Sequence, residues 1–168
     1  MEIVSYEWWA FFFRWLHILG GVMWIGHLWY FNFVQTPTMP KIPEDLRPAI
    51  TRFIAPEALF WFRWGAVWTV VTGLILAGFN NYLGSALKLG IGNHNARVTM
   101  IGFGMWLGLI MFFNVWVLIW PNQKRVLGIV TAEADERRRA GRIAGLASRT
   151  NTMLSIPMLY AMASSHYL

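Results

Sequence analysis

The sequence predicts an all-α integral membrane protein: a bundle of four transmembrane helices in a single membrane domain, residues 1–168, with both termini on the outer, periplasmic side. Three observations predict it. The 168 residues are 57% hydrophobic and 17% aromatic but only 13% charged, the balance of a small membrane protein rather than of a soluble domain. The apolar residues gather into four runs near the ~20 residues that a helical crossing requires. Lys and Arg concentrate in two of the connecting segments, which the positive-inside rule assigns to the cytoplasm.

The first span, Trp8–Val34, reads WWAFFFRWLHILGGVMWIGHLWYFNFV. The second is expected over Leu59–Phe79 and the third over Val98–Trp120. The fourth, Ile143–Tyr167, has the shortest apolar core and contains Pro157. Neighbouring helices can satisfy the carbonyl that such a proline frees. Residues 35–58 and 121–142 are the expected cytoplasmic segments. The first carries Lys41, Arg47 and Arg52, and the second Lys124, Arg125, Arg137, Arg138, Arg139 and Arg142. Four closely spaced prolines, Pro37, Pro40, Pro43 and Pro48, make the first segment a stiff connection rather than a disordered linker. In the second, Glu133–Ala147 places acids before bases in helical register, the order that suits the helix dipole. A solvated helix leading into the fourth span is expected there.

Composition also excludes several functions. The net charge of +6 belongs to basic loops flanking apolar runs, so no nucleic-acid partner is expected. There are no cysteines, which removes disulfides, thiolate metal sites, iron–sulfur clusters and covalently attached c-type haem. Eleven tryptophans suit interfacial belts at the lipid headgroups.

Ionisable groups at membrane depth persist mainly where a partner or a function repays them. The first span holds three: Arg14, His17 and His27. Neutral imidazole is the commonest metal ligand and a routine axial ligand of haem iron. His17 and His27 are ten residues apart, about 80° around a helix and ~15 Å along it. They flank a face bearing Gly20, Gly21 and Trp24, where the absent side chains leave room for a flat macrocycle or for another helix. With four spans, His17 lies in the outer half and His27 in the inner half. His94 falls in the outer loop and His166 at the outer end of the last span. The candidate metal ligands are therefore His17, His27, His166 and His94. His17 and His166 are candidates for opposite sides of one iron, and separate ligation by His17 and His27 would allow two cofactors. Arg14, one turn before His17, and Arg97, opening the third span, are candidate partners for propionates. A lipid phosphate is the other partner for Arg14. The methionines, which form no M-x-x-M cluster, are expected to fill the core.

Three segments carry a family resemblance: WLHILGGVMWIGHLWYFNF, FFNVWVLIWPNQKRVLG (Phe112–Gly128) and SRTNTMLSIPMLYAMASSHY (Ser148–Tyr167). Together they resemble the membrane domain of bacterial membrane-bound urate oxidases, the urate oxidase N-terminal family. The first segment also resembles short membrane protoporphyrinogen oxidases and bacterial copper-resistance membrane proteins. The resemblance implies a helical domain of the bacterial inner membrane, linked to oxidation chemistry and to haem b, with His17, His27 and His166 at the family's histidine positions. Urate-oxidising family members carry a longer membrane region and a C-terminal cytochrome c domain, and these 168 residues hold neither. An electron acceptor is therefore expected to be a quinone or a separate cytochrome c. The expectation is a haem b-binding electron-transfer protein, a homo-oligomer or a subunit of a larger membrane complex. Direct oxidation of urate or a porphyrinogen, and a non-catalytic scaffolding role, stay open as alternatives.

Overall fold

The computed structural model describes residues 5–92, 95–165 and 167. Among them every regular element is helical, as the composition predicts. Helix α1 (Tyr6–Trp29) begins at the N-cap Ser5, whose hydroxyl accepts from the Trp8 amide at 3.2 Å. It continues through a π-helical turn, Tyr30–Gln35, into the short α2 (Thr36–Thr38) and a 3-10 turn, Met39–Lys41. Helix α3 (Arg47–Ala49) leads through a second π turn, Ile50–Ile54, into α4 (Ala55–Phe79). The short α5 (Leu83–Leu87) crosses to α6 (Ala96–Phe113), and a third π turn, Asn114–Ile119, joins α6 to α7 (Trp120–Val126). Helix α8 (Ala134–Ser164) completes the chain.

The three π turns share one cause. Each ends two residues before a proline: Pro37, Pro56 and Pro121. A proline ring clashes with the carbonyl four residues earlier and offers no N–H to it. Those carbonyls belong to Phe33, Arg52 and Val117, all inside the π turns. Widening the turn moves them aside, and the ladder resumes with i→i−5 bonds from Thr36 to Phe31, Ala55 to Ile50 and Trp120 to Val115. The helices thereby pass their prolines without breaking.

Two continuous stretches, Arg47–Phe79 and Ala96–Val126, are long and apolar enough to cross a membrane. The first pairs with α1 and the second with α8. Close backbone approach fixes the α1–α4 pair. A Cβ on Gly20 would meet Trp68 Cδ1 at 2.5 Å and Thr69 Oγ1 at 2.9 Å, and one on Gly65 would meet the Trp24 backbone at 3.0 Å. Such small-residue contacts are how helices associate where apolar burial alone gains little over lipid.

Helix α8 starts at a reciprocal capping box, in which the Glu133 amide donates to the Glu136 carboxylate and the Glu133 side chain accepts from the first turn. The cap satisfies donors that a helix start otherwise leaves open. The helix then runs unbroken through Pro157, so the charged leader and the last apolar run are one rod rather than two elements.

The two pairs meet along a dry core of Trp24, Leu28, Phe62, Met111, Val115, Ile119 and Met158. Polar links stitch that contact. Asn151, fully buried, accepts from Asn114 Nδ2 at 2.8 Å and donates to the Met111 carbonyl at 2.9 Å. Asn32 donates to Ser148 Oγ at 2.8 Å, and the Trp29 indole donates to Ser155 Oγ at 2.9 Å. Every one of these residues sits in the half of the bundle that holds the α4 start and the α6 end. Toward the other end the two pairs part.

Candidate functional site

Where the pairs part, they enclose a cavity of about 560 Å³, within the ~300–1,000 Å³ usual for small-molecule and cofactor sites. Helix α1 contributes Arg14, His17, Ile18 and Trp24. Helix α4 contributes Thr69, Gly73, Leu74 and Ala77 among others, and the opposite wall comes from α6 and α8. Tyr82, Arg97 and Ser165 line its outer end. The lining is mostly apolar, with cations at the mouth.

His17 is held on the α1–α4 wall by one bond: its Nδ1 lies 2.8 Å from the Thr69 carbonyl. A carbonyl oxygen only accepts, so Nδ1 carries the proton, and in the neutral ring Nε2 keeps its lone pair. A histidine bound to a metal through one nitrogen and donating from the other to a carbonyl is the arrangement metal sites use to fix tautomer and ring orientation. Gly73 makes the ring's place. A Cβ there would stand 2.8 Å from His17 Cε1 and 2.9 Å from Nδ1. Gly108 lines the cavity on the α6 wall with nothing within 4 Å of its Cβ position. Gly108 thus leaves one wall without a side chain, while the space beside Gly73 is taken by the His17 ring.

Arg14, Arg97 and Tyr82 come together at the mouth although Arg14 and Arg97 are far apart in sequence. Burial pushes the Tyr82 phenol above its ordinary value, against the opposing pull of the Arg14 and Arg97 guanidinium groups. The phenol therefore stays neutral at physiological pH and adds an O–H donor beside two fixed positive charges. At the closed end Trp24, 1% exposed, lines the cavity with its indole Nε1 lacking any hydrogen-bond partner.

The structure separates the other sequence candidates. His27 donates from Nδ1 to the Met23 carbonyl of its own helix at 2.7 Å and does not line the cavity. Gly20 receives α4 rather than opening onto the slot, and nothing lies within 4 Å of a Cβ built on Gly21. His94 and His166 lie outside the described residues. No group of three or more His, Cys, Asp or Glu side chains that could hold a metal occurs among the described residues. Sequence reasoning missed Gly73 and Tyr82. A lone glycine in an apolar helix carries no signal until its neighbour is known, and Tyr82 sits in a connecting turn.

Comparison with known proteins bears on the second half of the chain. No curated protein and no solved structure matches it. The matched stretch takes in the N-V-W-x-x-I-W-P-N-Q-K block and the closing segment, both singled out from sequence, and leaves out the first helix with His17. Residues 91–168 match the model of the family described as urate oxidase N-terminal, and over that stretch the chain is similar to it.

Proposed function

We propose that the chain is a four-span protein of the bacterial inner membrane that binds one b-type haem in the cavity between its helix pairs and passes electrons through it. The observation that carries this reading is His17: a cavity-lining imidazole with Nδ1 committed to Thr69 and Nε2 left for a ligand. The residues present fit the group. Gly108 leaves one wall open to a flat ring, the walls are apolar, and Arg14, Arg97 and Tyr82 at the mouth suit two carboxylates. When bound there, haem supplies one-electron redox chemistry, tuned by axial ligand and burial. The chain's own part is to orient the imidazole, hold the acidic edge at the mouth and keep water from the closed end.

The membrane assignment has further support. Trp64, Trp68, Val71 and Ile75 on α4, with Phe103, Ile110 and Phe113 on α6, expose 40% or more of their surface. An apolar girdle of that size would be an aggregation liability in water and is ordinary against lipid. The basic segments flank the end opposite the cavity, and the positive-inside rule then supports a cavity in the outer half. Association into a homo-oligomer or a larger complex, with a quinone or a separate cytochrome c as acceptor, belongs to the same proposal.

Haem uptake tests it. Protein purified from cells with ample haem should carry about one haem per chain, as one cavity implies, and Arg14→Gln with Arg97→Gln should lower the haem retained. A colourless protein overturns the reading. A second reading, oxidation of urate itself, is favoured by the family match; anaerobic addition of urate to the oxidised protein should then raise the reduced haem band.

A further inference from the structure

Far from the cavity, a buried arginine lies in the seam between α4 and α7. Arg63 is 9% exposed, and its guanidinium carbon stands 3.4 Å from the centroid of the Trp120 ring. A contact that short stacks the planar group on the indole and leaves its N–H edge to find acceptors. Nη1 is buried with no hydrogen-bond partner. No carboxylate pairs with it either: the ion pairs among the described residues are Arg47–Glu44 and Arg138–Asp135. Lys124 Nζ lies 5.7 Å from the same ring centroid, so a second cation adds to the charge. One turn back from Trp120, Trp116 packs on Trp64 at 6.2 Å and also buries its Nε1 without an acceptor. Buried charges persist where something pairs with them. This seam gathers donors and positive charge and offers no anion of its own. We propose that it binds the phosphate of an anionic phospholipid, an inference that rests on the membrane part of the reading above and not on the haem.

Depth and charge select that ligand. Trp120 closes the third expected span and Lys124 opens the basic segment that follows it, so the seam stands at the headgroup level of the cytoplasmic leaflet. A snorkelling arginine would show its head to solvent, whereas this one is covered by protein. Around the helix, Arg63 falls between buried Leu59 and exposed Phe60, at the rim where the bundle meets lipid. The guanidinium edge suits two phosphate oxygens at once, and the ammonium acts as a point charge on the same group. A zwitterionic headgroup would bring its own cation beside Lys124. An anionic headgroup leaves both protein charges to the phosphate, the pairing that basic sites at this leaflet favour. Inorganic phosphate has the same oxygens but no acyl chains to lie against Phe60 and Trp64.

Native mass spectrometry of the full-length chain in detergent tests this, with dioleoyl phosphatidylglycerol and dioleoyl phosphatidylethanolamine added in equal amounts. Wild type should keep one phosphatidylglycerol at collision energies that strip the ethanolamine lipid. Arg63→Gln and Lys124→Gln should each cut the retained fraction several-fold. Lys124 is only half-buried, so its variant decides the matter if the Arg63 variant fails to fold. Arg139→Gln, which removes an exposed cation on α8, should retain the lipid as wild type does. A wild type that keeps neither lipid or both equally, a Lys124→Gln protein that keeps as much as wild type, or an equal loss in Arg139→Gln overturns the proposal. Displacement of the lipid by millimolar inorganic phosphate assigns the site to the free anion and overturns the lipid as its occupant. A chain that leaves the membrane without detergent overturns the membrane reading itself, and haem in the same spectra reports on the cofactor separately.

Discussion

The Nδ1–H of His17 donates to the carbonyl of Thr69 across the α1–α4 seam at 2.8 Å. That carbonyl is on helix backbone, so it cannot rotate to suit another partner. The ring is fixed in tautomer by that bond, and His17 lines the cavity. The Thr69 hydroxyl donates instead to the Gly65 carbonyl at 2.7 Å. The carbonyl, and not the side chain, is thus what orients His17, and replacing Thr69 should matter less than moving its helix.

Gly73 is the most sensitive neighbour of that ring. Gly73→Ala puts a methyl 2.8 Å from Cε1, so the imidazole must tilt or the helices must separate. Overpacking of this kind costs ~1–3 kcal/mol. The expected result is a folded helical protein whose haem content drops several-fold; circular dichroism and pyridine haemochrome quantitation on one sample check it.

Gly20→Leu should act on the seam itself. Its Cβ alone would meet Trp68 Cδ1 at 2.5 Å and Thr69 Oγ1 at 2.9 Å, and the rest of the side chain adds more. The pair should lose on the order of 1–3 kcal/mol or more, read as a lower melting temperature in detergent. Gly21→Leu, with nothing within 4 Å of its Cβ position, should melt close to wild type.

Asn151 joins α8 to the α6 end by two bonds while fully buried. Asn151→Leu leaves the Asn114 amide without its acceptor, and a buried unpaired group costs ~1–3 kcal/mol. Interhelical bonds in membranes average somewhat less, roughly 0.6 kcal/mol, so a loss near 1 kcal/mol is expected. A double-mutant cycle with Asn114→Leu isolates the bond, and additive losses would deny the coupling.

Tyr82 sets a pH dependence. Its folded value lies above the ordinary 10.0, so the native state favours the neutral phenol more than the unfolded chain does. The associated stability is present below pH 10 and is lost as pH rises through the folded value. Thermal melts between pH 9 and 12 should decline, and the Tyr82→Phe variant should decline less. Equal slopes would remove Tyr82 as the cause.

Much of this was legible in the sequence because hydropathy and helix signals are local. The all-α class, the prolines of residues 37–48 and the acid-before-base start of α8 can all be read along one strand of text, and so can the choice of Arg14, His17 and Arg97 as candidates. The structure brings those three side chains to one cavity. What stayed hidden depends on pairing between distant elements. Gly73 gains meaning only beside His17, and Asn151 only beside Asn114. Gly20 reads equally well as a slot or a seam until α4 is placed against it. The π turns were half-visible: the prolines announce a disturbance, but whether a helix breaks or widens depends on packing further along the chain.

The most direct test of the central claim is chemical rescue at His17. Wild type should show a b-type alpha band in the dithionite-reduced minus oxidised spectrum, His17→Gly should lose it, and added imidazole should restore it by filling the vacated space. A His17→Gly protein that keeps the full band without imidazole would show that His17 does not hold the haem.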